Sequence, residues 1–158
     1  MSAPGGLRFA ETVDQMPDLL TKLRSAPRHR LADHSVVPNT PGIYLFSQDG
    51  LPVYVGQSRK LRARLRQHTG ATHGHNQASF AFNVAKREAA KAGVDIKQFR
   101  SVLEANPKFV PHFDAARASV AEMDVQFIEV PDPIVRTLFE VYAALVLDTV
   151  EYNSFDTH

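Results

Sequence analysis

A chain of 158 residues with 44% hydrophobic and 22% charged side chains suits one domain able to bury a real core. The absence of cysteine excludes disulfides, iron–sulfur clusters and thiolate zinc sites and fits a reducing cytoplasm; no apolar run approaches the roughly 20 residues of a membrane span. The net charge of +1 hides a polarised molecule: residues 1–100 hold fifteen Lys/Arg against seven Asp/Glu, and residues 101–158 hold three against ten, an asymmetry that suggests a polyanion-binding face.

The start, Met1-Ser2-Ala3-Pro4-Gly5-Gly6, has no basic stretch followed by an apolar core, so no signal peptide is read and the expected location is cytoplasmic. After this loose opening, Met16, Leu19, Leu20 and Leu23 recur at helical spacing, which predicts a helix from about Asp14 to Leu23 with Asp14 as its cap. Residues 1–37 are therefore expected to form a helical extension packed on a domain spanning 38–158. Gly42-Ile43-Tyr44-Leu45-Phe46 reads as a strand and Val53-Tyr54-Val55 as its return, joined by the hairpin signal Asp49-Gly50. Pro52 at the start of the second arm costs no needed donor.

Leu61 to His68 reads as a helix with Leu61 and Leu65 on one face and Arg64 and His68, four residues apart, on another that faces outward. Residues 69–75 read as a loop. A helix then runs to about Lys91, with Asn76 as its cap and Gly93 as its stop, and another is expected around Pro111–Met123. Val125–Val130 alternates as a third strand. Asp132-Pro133 signals a helix start, and the segment to about Asp148 is apolar almost all round, the pattern of a buried helix. The expected fold class is α/β in the α+β sense, a small three-stranded, mostly antiparallel sheet flanked by helices, with a helical insertion over about 69–122.

Several residues could carry chemistry. Ser58 to His68 contains Arg59, Lys60, Arg62, Arg64 and Arg66 and no acid. Guanidinium forks suit phosphate oxygens, and a solvated basic face explains the same run. Glu140 lies between Phe139 and Val141 in the most apolar helix, where a carboxylate needs a cation: either an i−4 pair with Arg136 or a hard divalent ion such as Mg²⁺. Tyr44 and Tyr54 read as strand aromatics, or as hydroxyls meeting at one end of the hairpin. His73 and His75, with His68 nearby, offer a zinc reading that lacks a full ligand set.

Taken together, Gly42-Ile43-Tyr44, Tyr54-Val55-Gly56, Arg64, His68, Glu140 and Tyr152-Asn153 resemble the GIY-YIG nuclease superfamily over about residues 38–155. Its first motif falls on 42–44 and its second on 54–56; its arginine falls on Arg64, its histidine on His68, its glutamate on Glu140 and its asparagine on Asn153. The long insertion containing His75-Asn76-Gln77-Ala78-Ser79-Phe80 departs from shorter members.

The resemblance implies a metal-dependent endonuclease that hydrolyses a nucleic-acid phosphodiester, with DNA, single-stranded or structured, as the expected partner, no membrane partner, and one Mg²⁺ or Mn²⁺ on Glu140 stabilising the leaving 3′ oxygen. Arg64 would stabilise the phosphorane-like transition state. Tyr44 would position or deprotonate water, which requires a phenol pKa lowered near the metal or Arg64. Tyr54 would hold a non-bridging oxygen, and His68 would move a proton or orient Tyr44. Ser58, Arg59, Lys60, Arg62, Arg66 and Asn153 are the expected substrate-side residues, Asn153 also supporting the site by hydrogen bonds. The alternative is a non-cleaving nucleic-acid-binding module with the same fold.

Overall fold

The structure, a computed structural model, describes residues 5–69 and 79–153. Its elements are α1 (Gly5–Asp14), α2 (Met16–Ser25), β1 (His29–Arg30), β2 (Gly42–Gln48), β3 (Leu51–Ser58), α3 (Leu61–His68), α4 (Ser79–Lys91), α5 (Arg100–Glu104), α6 (Val110–Ala121), β4 (Asp124–Glu129) and α7 (Pro133–Val146), with a 3₁₀ turn over Leu31–Val36. The expected cap Asn76 and the histidines His73 and His75 lie outside the described residues.

The hairpin forms as the sequence predicts. Asp49 and Gly50 both adopt positive φ, 52° and 80°, the conformation whose twist matches the flanking strands. β4 pairs with the other side of β2, and all pairings are antiparallel. The sheet has four strands rather than three, in the order β1-β4-β2-β3. The fourth is the two-residue pairing of His29 and Arg30 with Val125 and Asp124. A strand so short has no periodicity to read, and Pro27 beside it suggested only a break.

Alternation along β2 sorts two cores. Tyr44 and Phe46 face a layer that includes Leu61 and Leu65 of α3, Phe80 of α4 and Phe113 of α6. Ile43, Leu45 and Val55 face α2 and α7 through Met16, Leu23, Phe139 and Ala143. Burying these faces is the main favourable contribution to folding.

Two N-terminal expectations need correction. The opening is not loose after Gly5, because α1 occupies Gly5–Asp14, yet none of its residues is buried. With no buried stripe it left no reliable periodic signal. Asp14 does not cap α2: Gln15 holds that position without a side-chain hydrogen bond.

Gly93 ends α4 as expected, with φ of 85°. Val94 N–H donates to Ala89 and Gly93 N–H to Ala90, which satisfies two carbonyls left over at the helix end. Asp132 caps α7, its Oδ1 accepting from Ile134 N (2.8 Å) and Val135 N (3.0 Å). The rest of α7 departs from the sequence pattern. Only Arg136, Phe139, Ala143 and Ala144 are buried, while Ile134 and Leu145 are 68% and 65% exposed. The helix lies on the sheet with one stripe, and its outer apolar residues are left uncovered by the described residues. No helix among the described residues is long and apolar enough to cross a membrane.

Asp132→Ala removes both cap bonds from the helix that carries Glu140 and should cost about 1 kcal/mol in urea unfolding. An unchanged midpoint would show that the cap contributes nothing.

Candidate active site

The hairpin and α3 converge through a polar cluster set among aromatic rings. Tyr44 projects from β2 into the core, and its hydroxyl lies 2.8 Å from His68 Nε2 on α3. Phe46 meets the His68 ring edge-on at 5.1 Å, and Tyr54 meets it at 5.7 Å. Gly56 is paired with Tyr44 across the strands. A Cβ at position 56 would fall on the Cζ and hydroxyl of Tyr44. The glycine ending the Tyr54-Val55-Gly56 motif is therefore the space in which the Tyr44 ring sits.

α3 is held in register from outside its own span. Asn39 Oδ1 accepts from Ala63 N (3.1 Å), Thr40 O accepts from Leu61 N (3.0 Å), and Arg62 Nε donates to Val37 O (2.6 Å). This orientation turns Arg64 and His68 inward rather than toward solvent. His68 is fully buried and Arg64 is half-buried. Arg64 donates to Gln67 Oε1 (2.9 Å) and Ser79 Oγ (3.0 Å) and lies near enough to Tyr44 and Tyr54 to act on both hydroxyls electrostatically.

These surroundings set the protonation states. Burial holds His68 well below the ordinary imidazole range, and the nearby Arg64 charge lowers it further, so the ring is neutral. A neutral Nε2 can accept the Tyr44 proton donor. Burial pushes the Tyr44 phenol well above 10, Tyr54 adds to the rise, and Arg64 opposes it only in part. Burial also raises Tyr54. Without a bound cation, desolvation outweighs the guanidinium and the Tyr44 phenol stands above its ordinary value.

Glu140 stands on α7, one turn after Arg136. The expected Arg136–Glu140 pair does not form. Arg136 is instead buried, donating to Gln57 Oε1 (3.2 Å), Val130 O (3.1 Å) and Pro131 O (3.3 Å). Burial raises the pKa of the Glu140 carboxylate, and the nearby Gln57 side chain partly offsets the rise. Glu140 acts electrostatically on both Tyr44 and Tyr54, which places it in the same cluster. Among the described residues it has no ion-pair partner, and no group of three or more potential metal ligands occurs. One partly desolvated carboxylate fits a hard cation that keeps most of its waters, and does not fit a closed zinc site.

The expected substrate-side residues divide. Arg59, Lys60 and Arg66 are exposed. Ser58 Oγ accepts from Lys60 N (2.9 Å), and the Nε of Arg62 is committed to Val37, so both shape the backbone entering α3. Asn153 is buried away from the surface. Its side chain donates to Val55 O (2.5 Å) and accepts from Thr149 Oγ1 (3.1 Å), a support for the edge strand rather than a substrate contact.

Three site residues escaped the sequence reading. Gln57 follows the second motif on the alternation that faces α7, a parity signal that could have found it. Ser79 and Phe80 begin the insertion helix; Ser79 receives Arg64, and Phe80 stacks on Tyr54 at 4.7 Å and 17°. No local pattern links them to the hairpin. The insertion thus forms one wall of the site.

Gly56→Ala should displace the Tyr44 ring and cost about 1–3 kcal/mol by overpacking, read from urea unfolding; a neutral effect would mean the ring is not confined there. Because the Glu140 pKa is raised, its charge opposes folding above the ordinary carboxylate value and that penalty vanishes in acid, where folded and unfolded chains are both protonated. Without divalent ions, Glu140→Gln should therefore raise Tm at neutral pH by a few degrees and much less near pH 4. Equal shifts at both pH values would contradict this.

No family model matches the chain. Over 84 residues it is 34% identical to the UvrABC system protein C of Deinococcus radiodurans, a stretch covering 52% of this chain and 13% of that relative. The chain thus matches about an eighth of its curated relative's length. Solved structures with a similar arrangement include the GIY-YIG N-terminal endonuclease domain of UvrC from Thermotoga maritima bound to magnesium, at 15% identity and a TM-score of 0.45 over 80% of this chain and 98% of that one. A point mutant of the same domain, bound to its catalytic divalent cation, overlaps at 16% identity and a TM-score of 0.43, over 77% and 91%. In its motifs the chain resembles the GIY-YIG nuclease superfamily, and over those 84 residues its sequence is similar to UvrC.

Proposed function

We propose that this chain is a metal-dependent endonuclease that hydrolyses nucleic-acid phosphodiesters, DNA foremost, with residues 38–158 as the nuclease unit and residues 1–37 as a helical extension. The observation that carries this reading is the grouping of Arg64, two tyrosine hydroxyls, neutral His68 and an ion-unpaired Glu140 within one cluster. The similarity to UvrC supports it.

Arg64 binds and orients the phosphate, its charge supporting the negative oxygens of the transition state. Tyr44 donates to neutral His68 Nε2, leaving its oxygen lone pairs to accept from an attacking water. Neutral His68 thereby orients the Tyr44 hydroxyl toward the water it positions. This role needs no phenolate and so agrees with the raised phenol pKa. Tyr54, half-buried beside Arg64, holds a second phosphate oxygen. Glu140 would hold Mg²⁺ or Mn²⁺, oriented by Gln57, and the ion when bound supplies Lewis-acid stabilisation of the leaving oxygen. Arg59, Lys60 and Arg66 add sequence-independent backbone affinity.

Purified protein should cut labelled DNA with Mg²⁺ or Mn²⁺, and Arg64→Ala and Glu140→Gln should each lower the rate at least about 100-fold. Parent-like cutting by both variants would refute the assignment. Salt-sensitive DNA binding without cleavage under either ion would favour a binding module.

A further inference from the structure

A cleft of about 420 Å³ opens beside the site, lined by the hairpin, α4, α6 and Tyr152. That volume lies in the range of small-molecule pockets. Val53 and Met123 supply apolar wall, and Phe80 and Tyr152 supply aromatic wall, their rings edge-to-face at 5.3 Å and 90°. Gln48, His112 and Ser119 bring polar groups to the same space. The Gln48 amide and the Ser119 hydroxyl can each donate and accept, as the edge of a planar heterocycle requires.

Phe80 is common to the cleft and the site. It lines the cleft and stacks on Tyr54 at 4.7 Å, so the two spaces are separated by about one ring. Arg87 lies over the Tyr152 ring at 5.1 Å and pairs with Glu151, and Glu88 also lines the cleft, so its rim carries both signs of charge. A base already paired and stacked in a duplex can enter such a space only after costly extrusion, whereas an unpaired base enters freely.

We infer that this cleft receives an unpaired nucleobase of the strand whose phosphate lies at Arg64, which makes single strands, or duplexes carrying an unpaired base, the preferred substrate class. This rests on the nuclease reading for the position of the phosphate.

Binding of the full chain to a short fluorescein-labelled single strand, in EDTA so that nothing is cut, tests the inference. Replacing one base at a time by an abasic site should weaken binding about tenfold at one position and little elsewhere. Ala115→Trp and Ser119→Trp, both exposed on α6 and lining the cleft, should fill it. Each should weaken single-strand binding to the same extent, abolish the abasic effect and leave duplex binding and Tm unchanged. Uniform tolerance of abasic sites by the unmodified chain, or parent-like single-strand binding by both tryptophan variants, would overturn the inference. Position-dependent abasic sensitivity in a protein that cuts nothing with Mg²⁺ or Mn²⁺ would remove the nuclease reading and keep the base site. Cutting by both variants with the parent's rate and strand preference would keep the nuclease and remove the base site.

Discussion

The Tyr44 hydroxyl and His68 Nε2, 2.8 Å apart and sealed among aromatic rings, tie the hairpin to the helix that follows it. Buried polar groups are costly unless they bond each other, so this pair constrains everything around it. Tyr44 must enter the core, which requires the absent side chain at Gly56. His68 must turn inward, which fixes the rotation of α3 and brings Arg64 from solvent to the same cluster. Phe80 then closes over Tyr54. The pair is thus a packing device as well as a polar contact.

The frame of the candidate site is held by groups that bond the backbone. Asn39 and Thr40 hold the start of α3, Asp132 and Arg136 hold the start of α7, and Asn153 grips the backbone of β3 at Val55. Each satisfies a backbone group that a helix end or edge strand leaves open. The exposed cations Arg59, Lys60 and Arg66 lie outside this frame. Glu140 differs from both classes: its carboxylate is partly desolvated and has no ion-pair partner among the described residues, which is a local cost.

Much of the frame was legible in the amino acids. Asp49-Gly50 dictates its turn because both residues tolerate positive φ; Gly93 stops α4 and Asp132-Pro133 starts α7 for equally local reasons. The fold class and the two motif-bearing strands follow from such signals, and Tyr44, Tyr54, Arg64, His68 and Glu140 could be picked out by spacing and resemblance. Other features were not legible. A strand of two residues has no period, a helix that buries nothing has no stripe, and α7 reads as fully buried because composition cannot show that only one of its faces finds a partner.

What the sequence alone determined are the features governed by neighbours along the chain: turns, caps, the alternation of β2 and the basic run entering α3. Tertiary structure decided which way those elements face. It turned Arg64 and His68 inward, gave Arg136 to Gln57 rather than to Glu140, withdrew Asn153 and the Nε of Arg62 into backbone support, and brought Ser79 and Phe80 from the insertion onto the site. It also buried the Tyr44 phenol, which raises its pKa in the absence of a cation. The reason is physical: burial and partnership depend on what packs from distant parts of the chain, and desolvation, which no local spacing encodes, outweighs the nearby charge.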